Sequence, residues 1–376
     1  MLRSNWQKCV FNLIYLLLSA IGGLLLALTG LSIGWMVGTL IASAVLSLWW
    51  PKRIARLNGE TGLEGYWLRI GQLLLGVQIG EQINQTIVHV FAKEWLIILL
   101  MLIVSIALSL LSGFLVYRYS QTDLVTSLYG TTPGGLSSML GIAADVGANM
   151  AVVSIIQTLR VILVVGTIPL SVSLISGTHT GHHSVQTVAA ELNLDSFTGL
   201  LLALLLALAG SMIAKKLHFP APWLLGSMLG LSLTRMLSGP LLGYEWPIWW
   251  PRAMIIAAQI MIGATVGARL NRKMFAGLLR TTLIGFVSSV GLTLAMLLAA
   301  LIVSKVTSLE NIATILAFAP GGIAEMAATS VVLHADPTFV VTVQVLRMLS
   351  IVLLLPPFFA YLHRHSGGPS SSSKAS

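Results

Sequence analysis

Long uninterrupted apolar stretches are the feature that most restricts how this chain can fold. Four such runs are Val10–Thr29, Leu96–Val116, Thr198–Ala214 and Leu283–Val303. Each provides close to the roughly 20 apolar residues that a helix needs to cross the hydrocarbon core of a bilayer. The runs do not alternate apolar with polar residues, which argues against a transmembrane β-barrel. Only 9% of the residues are charged, against about 25% in an ordinary soluble domain. The sequence therefore predicts an all-α integral membrane protein.

The chain also contains an internal duplication. Residues 70–169 align without a gap with residues 257–356, at a constant offset of 187. The rarest features that coincide are Pro133-Gly134-Gly135 with Pro320-Gly321-Gly322, Gln157 with Gln344, Arg160 with Arg347, and Pro169 with Pro356. Chance does not align such features at one offset, so we predict two homologous membrane repeats, at residues 1–176 and 197–365. A hydrophilic linker at 177–196 joins them, and a Gly/Ser-rich, disordered tail follows at 366–376.

The distribution of lysine and arginine predicts the topology. Each repeat is read as five crossing helices plus one broken segment, at residues 121–146 and 308–334. Placing both Lys52–Arg56 and Lys215–Lys216 in the cytoplasm requires the two repeats to be inverted. This gives about 10 transmembrane helices, two broken re-entrant segments and both termini on the cytoplasmic side of a bacterial inner membrane. The alternative is that the broken segments cross completely, since their length suffices at ~1.5 Å per residue. That reading gives twelve crossings and parallel repeats.

The Pro-Gly-Gly breaks are the first candidate site. Proline removes a backbone donor and glycine admits conformations closed to other residues, so a helix ends here. Unwound backbone inside a membrane is tolerated where it is buried in protein or lines a watery cavity, and secondary transporters bind solutes at such breaks. The alternative is a tight turn between helices. The candidate binding residues at the breaks are Thr132, Pro133, Gly134, Gly135 and Ser138 in the first repeat and Pro320, Gly321, Gly322 and Glu325 in the second.

Two arginines within apolar spans form the second candidate. Gln157 precedes Arg160, and Gln344 precedes Arg347, by three residues, which puts each pair on one helix face. An intramembrane arginine is costly and normally faces a partner or a polar cavity. One interpretation is anion binding or gating beside the breaks. The other is a structural pair with a carboxylate, for which Asp145, Glu325 and Asp336 are available.

Carboxylates also begin the two broken segments. Asp123 and Glu310 stand where each segment starts, and helix N-terminal capping explains both. One pair departs from the internal symmetry, because Asn149 in the first repeat corresponds to Asp336 in the second.

Several functions find no support in the sequence. No Walker motif, dinucleotide fingerprint, serine elbow or HExxH is present, so we expect no enzymatic activity, no cofactor and no metal site. The net charge of +9 lies in short loops beside apolar spans, and no direct contact with nucleic acid is expected. The expected partners are the lipid bilayer and a small-molecule solute, with a homo-oligomer left open.

These motifs resemble those of the AbrB-type duplicated integral membrane proteins. The resemblance lies in the duplicated Pro-Gly-Gly segment followed by Gln-x-x-Arg, and in the stretch Trp223–Gly230. It covers nearly the whole chain except the linker and the tail. Members are labelled as AbrB-family regulators or as ammonia monooxygenases. The resemblance thus implies an integral membrane location and a role in the regulation of gene expression.

Two functional hypotheses follow. The first is a secondary transporter or permease for a small polar or anionic solute, with the Pro-Gly-Gly breaks meeting near the midplane. The second is a membrane-bound regulator of gene expression that acts indirectly, without binding DNA.

Overall fold

The structure is a computed structural model, and it describes residues 2–31, 33–50, 63–82, 86–175, 194–242, 250–270, 278–307 and 309–365. All regular secondary structure within these ranges is helical. The first half contains α1 (Leu2–Ala27), α2 (Gly34–Trp49), α3 (Gly65–Gln82), α4 (Thr86–Ser120), α5 (Leu124–Thr131), α6 (Leu136–Asp145) and α7 (Met150–Ile175). The second half contains α8 (Leu194–Lys216), α9 (Pro222–Leu242), α10 (Arg252–Gly267), α11 (Leu279–Val306), α12 (Asn311–Phe318), α13 (Ile323–Val332) and α14 (Pro337–His365).

The two halves place corresponding helices in the same order, so that α1–α7 match α8–α14 one by one. Most of the predicted linker and all of the predicted tail lie outside the described residues. The apolar run Leu96–Val116 lies within a longer helix, since α4 begins at Thr86 and spans 35 residues.

Six described helices are long and apolar enough to cross a membrane. The spans are Lys8–Ala27, Trp95–Ser120, Met150–Val172, Thr198–Lys216, Leu279–Val306 and Pro337–Leu354. Large apolar side chains such as Leu17, Leu201 and Val287 are exposed on the outer faces of these helices. Such continuous apolar surface is unfavourable in water and suited to lipid, so this is a membrane-embedded helical protein.

Glycines hold neighbouring helices of each half in backbone contact. A methyl group at Gly38 of α2 would overlap the carbonyl oxygen of Gly22 in α1. In the second half, a methyl group at Gly226 of α9 would overlap the Gly210 carbonyl oxygen in α8. Small residues at a helix crossing allow this approach, and close packing is what drives helix association in lipid.

Two pairs of helices, one helix from each half, pack against each other and run parallel. The Ser43 hydroxyl of α2 donates to the Ala264 carbonyl at 2.6 Å, and the Ser47 hydroxyl donates to the Ala268 carbonyl at 3.2 Å. Both residue numbers rise by four, so α2 and α10 run parallel. In the equivalent contact, Gly76 and Gly80 of α3 lie against Leu224 and Met228 of α9. Helices α3 and α9 therefore also run parallel.

Helices α4 and α11, which correspond to each other, run in opposite directions. The hydroxyls of Ser112 and Ser288 are 2.7 Å apart, and the Thr281 hydroxyl donates to the Ser120 carbonyl at 3.3 Å. The residue number rises along α4 as it falls along α11. These two matching helices therefore lie side by side and antiparallel.

Each broken segment folds back towards its own start. The Asn149 backbone N–H, which follows α6, donates to the Thr126 hydroxyl in the first turn of α5 at 2.9 Å. The backbone N–H of Asp336, which follows α13, likewise lies within reach of the Glu310 carboxylate before α12. The two segments are therefore hairpins of two short helices.

The caps of these hairpins were predicted only in part. Asp123 caps α5 as expected, because its carboxylate accepts a hydrogen bond from the Thr126 N–H at 2.8 Å. The expected cap by Glu310 is wrong, since its side chain makes no capping bond to α12. The carboxylate reaches across to Asp336 instead.

The glycine contacts lead to a stability prediction. Gly38→Ala and Gly226→Ala each insert a methyl group against the backbone of a neighbouring helix. We expect each variant to lose about 1–3 kcal/mol of stability, as overpacking does, measured as a lower melting temperature in detergent. Gly166→Ala is the control, because nothing lies within 4 Å of that position and alanine favours a helix. Unchanged melting of both crossing variants would contradict the contact.

Candidate functional site

The residues Gln344 and Arg347 of α14 bind the end of the short helix α12. The Arg347 guanidinium donates from Nη1 to the carbonyls of Phe318 and Ala319, at 3.1 and 2.9 Å. The Gln344 amide donates from Nε2 to Leu316 and Ala319, at 2.9 and 3.2 Å. The two side chains are joined by a bond of 2.6 Å from Arg347 Nη2 to Gln344 Oε1.

The first half repeats this arrangement at the end of α5. Arg160 Nη1 of α7 donates to the Thr131 carbonyl at 2.5 Å, and Gln157 Nε2 donates to the Tyr129 carbonyl at 2.8 Å. Thr131 and Tyr129 correspond to Phe318 and Leu316 in the repeat. The conserved geometry of both halves is thus a Gln-x-x-Arg pair capping a broken helix.

The physical reason lies in the Pro-Gly-Gly triplets. A helix that stops inside an apolar interior leaves its last carbonyls without partners, and each such group costs free energy. The C-terminal end of a helix also carries partial negative charge, which a cation stabilises. Arginine meets both needs at once, and glutamine one turn earlier binds the preceding carbonyl. The sequence reading considered a carboxylate as the structural partner; in the described residues, backbone carbonyls take that place.

This capping leaves part of each arginine unused. Both side chains are only 2% exposed. The Nε atoms of Arg160 and Arg347 are buried without a hydrogen-bond partner among the described residues, as is Gln157 Oε1. The two guanidiniums also lie close enough for the charge of Arg347 to act on Arg160. Two buried like charges with spare donors form a local excess of positive charge, which an anion would neutralise.

The second break lies against α7 of the first half. Thr132, Pro133, Gly134 and Pro320 are buried, and the Thr132 hydroxyl donates to the Leu128 carbonyl at 2.7 Å. A methyl group at Gly321 would lie 3.1 Å from Val164 Cγ1, so α7 of the first half contacts the second break. The side chain of Ser138 lies outside the described residues.

The breaks differ in their last glycine. Gly135 is exposed and has φ of 82°, a conformation that favours glycine. Gly322 has φ of −85°, which any residue can adopt, but the Glu325 carboxylate folds over it and fills the space beside its Cα. The second triplet thus needs glycine for room rather than for backbone freedom.

Glu325 gives the second break a charge that the first lacks. Its side chain is 5% exposed in the first turn of α13, and the positive charge of Arg269, which follows α10, acts on it. The corresponding residues of the first half are Ser138 and Gln82. The sequence analysis included Glu325 among the candidate residues but did not include Arg269. Both positions differ between the two halves, and this shared difference could have linked Glu325 with Arg269.

Fold and site together define a duplicated helical membrane protein with two broken-helix hairpins. The chain matches the family described as "Transition state regulatory protein AbrB" over residues 35–363. It therefore belongs to the AbrB family, as its motifs indicated. A protein of Bacillus subtilis (strain 168), "Uncharacterized protein YhjN", is 45% identical over 98% of this chain and 97% of its own length. "Putative regulator AbrB" of Escherichia coli (strain K12) is 27% identical over 78% of this chain and 82% of its own length. No solved structure matches the chain.

The capping geometry predicts unequal effects of two glutamine substitutions. Gln344→Leu removes two bonds to carbonyls and the acceptor for Arg347, whereas Gln157→Leu removes one bond to a carbonyl. Each buried group left unsatisfied costs about 1–3 kcal/mol, so we expect the melting temperature to fall further for Gln344→Leu.

Thr342→Ala provides the matched control for the substitutions in this part of the fold. The Thr342 hydroxyl bonds to the Thr338 carbonyl of its own helix, so we expect little change in melting. Equal shifts for Gln344→Leu and Gln157→Leu would contradict the assigned difference.

Proposed function

We propose that the protein is a secondary transporter or permease for a small anionic solute, with a polar solute as the broader class. The observation that carries this proposal is the pair of buried arginines at the two breaks, each with a spare Nε donor. A fold needs one cation to cap each broken helix, but it gains nothing from bringing the two charges together. An anion held between them would offset their repulsion.

The proposed site is built for weak, reversible binding. Arg160 and Arg347 would present Nε–H donors to the anion while their Nη atoms stay on the carbonyls of Thr131, Phe318 and Ala319. Because the caps hold the guanidiniums in place, binding would require little reorganisation. The solute would leave chemically unchanged, so no catalytic step is proposed.

We further propose that the repeats are inverted, with ten crossing helices and two re-entrant hairpins. The antiparallel run of α4 and α11 and the parallel run of α2 and α10 support inversion. The return of Asn149 to Thr126 supports re-entry. Inverted repeats with discontinuous helices at their interface are a common design of secondary transporters.

Topology can be mapped with single cysteines. Cys9→Ser removes the one cysteine in the sequence, and Arg56→Cys, Lys216→Cys and Lys305→Cys are then made one at a time. With inverted repeats, an impermeant thiol reagent labels positions 56 and 216 from the cytoplasm and position 305 from the opposite side. Labelling of position 305 together with position 56 would instead establish parallel repeats.

Transport should depend on the planar guanidiniums and not on charge alone. Purified protein in liposomes is screened with organic anions, phosphate, sulfate, amines and sugars under a proton or sodium gradient. We expect an anion to be transported, and Arg160→Lys and Arg347→Lys to reduce its uptake by about tenfold or more. A charge-assisted hydrogen bond is worth ~1.5–3 kcal/mol, and lysine has no donor equivalent to Nε.

Arg252→Lys is the control for this assay, because Arg252 is exposed at the start of α10. Its uptake should match that of the unchanged protein. Failure of every solute, or full activity of both buried lysine variants, would refute the proposal.

A second candidate is a membrane-bound regulator of gene expression that acts indirectly. It is favoured by the description of the matched family and by the printed name of the Escherichia coli relative. The same variants separate the two candidates. A cellular effect on transcription that persists in Arg160→Lys and Arg347→Lys, with no transport by the unchanged protein, would favour regulation.

A further inference from the structure

The second break carries a buried carboxylate that the capping scheme does not use. Among residues whose side chains are described, Glu325 is the one buried acidic residue, with 5% of its surface exposed. Its carboxylate lies over Gly322, within the Pro-Gly-Gly break itself. A carboxylate inside a membrane protein is costly and usually serves a function.

The internal duplication shows that the fold does not require this charge. The first half builds the same hairpin, with the same Gln-x-x-Arg cap, around Ser138 and Gln82 where the second half has Glu325 and Arg269. A buried carboxylate is also a poor source of stability, because its desolvation offsets the attraction of a nearby positive charge. Glu325 and Arg269 are therefore an addition to one of the two breaks.

Several charged groups on or beside the helices around α13 are engaged elsewhere. Helices α3, α7, α10, α12 and α14 pack against it. Arg347 and Arg160 bind backbone carbonyls, Glu81 interacts with Arg235, and Glu310 interacts with Asp336. Arg269 is the charge that acts on Glu325.

We infer that Glu325 is the site of a coupling proton, and that its protonation leaves the positive charge of Arg269 free to attract the anionic solute towards the breaks. This inference rests on the proposed transport function. A proton from the aqueous phase converts the carboxylate to a neutral carboxylic acid, and the positive charge of Arg269 is then no longer neutralised. Anion and proton bind together, and both leave unchanged when the proton dissociates.

A proton suits this site better than a metal cation. Hard cations such as sodium need several oxygen ligands, whereas Glu325 supplies one carboxylate, on which the positive charge of Arg269 already acts. A second fixed positive charge there would be repelled. A proton needs only the carboxylate. Burial opposes the charged form of Glu325, while the charge of Arg269 and the N-terminal end of α13 favour it.

The first test measures protonation directly and needs no transport. Infrared spectra of the protein in liposomes are recorded from alkaline to acidic pH, with and without phosphate or sulfate. We expect one component of the carboxylic acid band to grow as pH falls, to grow further with a bound anion, and to be missing in Glu325→Gln. Asp336→Asn is the control, because the repeat already holds Asn149 at that position, with its Oδ1 capping α7 as Asp336 caps α14.

The second test measures coupling. Under a pH difference of about one unit at zero membrane potential, one-to-one proton symport supports about tenfold accumulation of an anion. We expect Glu325→Gln to lose this accumulation while still exchanging labelled anion across the membrane. Asp336→Asn should accumulate like the unchanged protein.

The outcomes distinguish the two proposals. A titrating Glu325 band without transport of any solute would refute transport but keep the proton site. Undiminished accumulation by Glu325→Gln, or an unaltered acid band in that variant, would overturn the proton site and leave transport intact. If Glu325→Gln unfolds, Arg269→Gln provides the second variant, and its acid band should no longer respond to anions.

Discussion

The structure depends on how it satisfies backbone carbonyls where two helices stop inside an apolar interior. Each Pro-Gly-Gly triplet ends a short helix, and the arginine and glutamine of a following helix bind the freed carbonyls. Without this cap, the ends of α5 and α12 would be unsatisfied in a medium that offers no water. The positions of α7 and α14 follow from that requirement.

The sequence predicted the parts of the fold that repeat. The duplication, the breaks and the Gln-x-x-Arg pairs were visible because proline, glycine and arginine are rare in apolar spans. It could not identify the partners of Arg160 and Arg347, because a backbone carbonyl leaves no mark in a sequence pattern. The capping role of Asp123 was predictable from local chemistry. That of Glu310 was not, because Asp336 competes for its carboxylate from 26 residues away.

Departures from the duplication are more informative about chemistry than the duplication itself. Positions that match in both halves, such as Arg160 and Arg347, include the residues that make the hairpins possible. Positions that differ, such as Glu325 and Ser138, are not needed to form the hairpins. Arg269 was not among the predicted site residues, because positive residues near helix ends are common in cytoplasmic loops, and only its spatial relation to Glu325 sets it apart.

The parallel contacts between halves have a consequence for the assembly of the chain during synthesis. Helix α2 finds its hydroxyl acceptors in α10, more than 200 residues later in the sequence. Helix α3 packs its glycines on α9, which is also made much later. Neither half can complete its interior alone, so the hydroxyls of α2 lack these acceptors, and the glycines of α3 lack their packing surface, until the second half is inserted. The duplicated protein is thus a single folding unit in which the halves are interlocked.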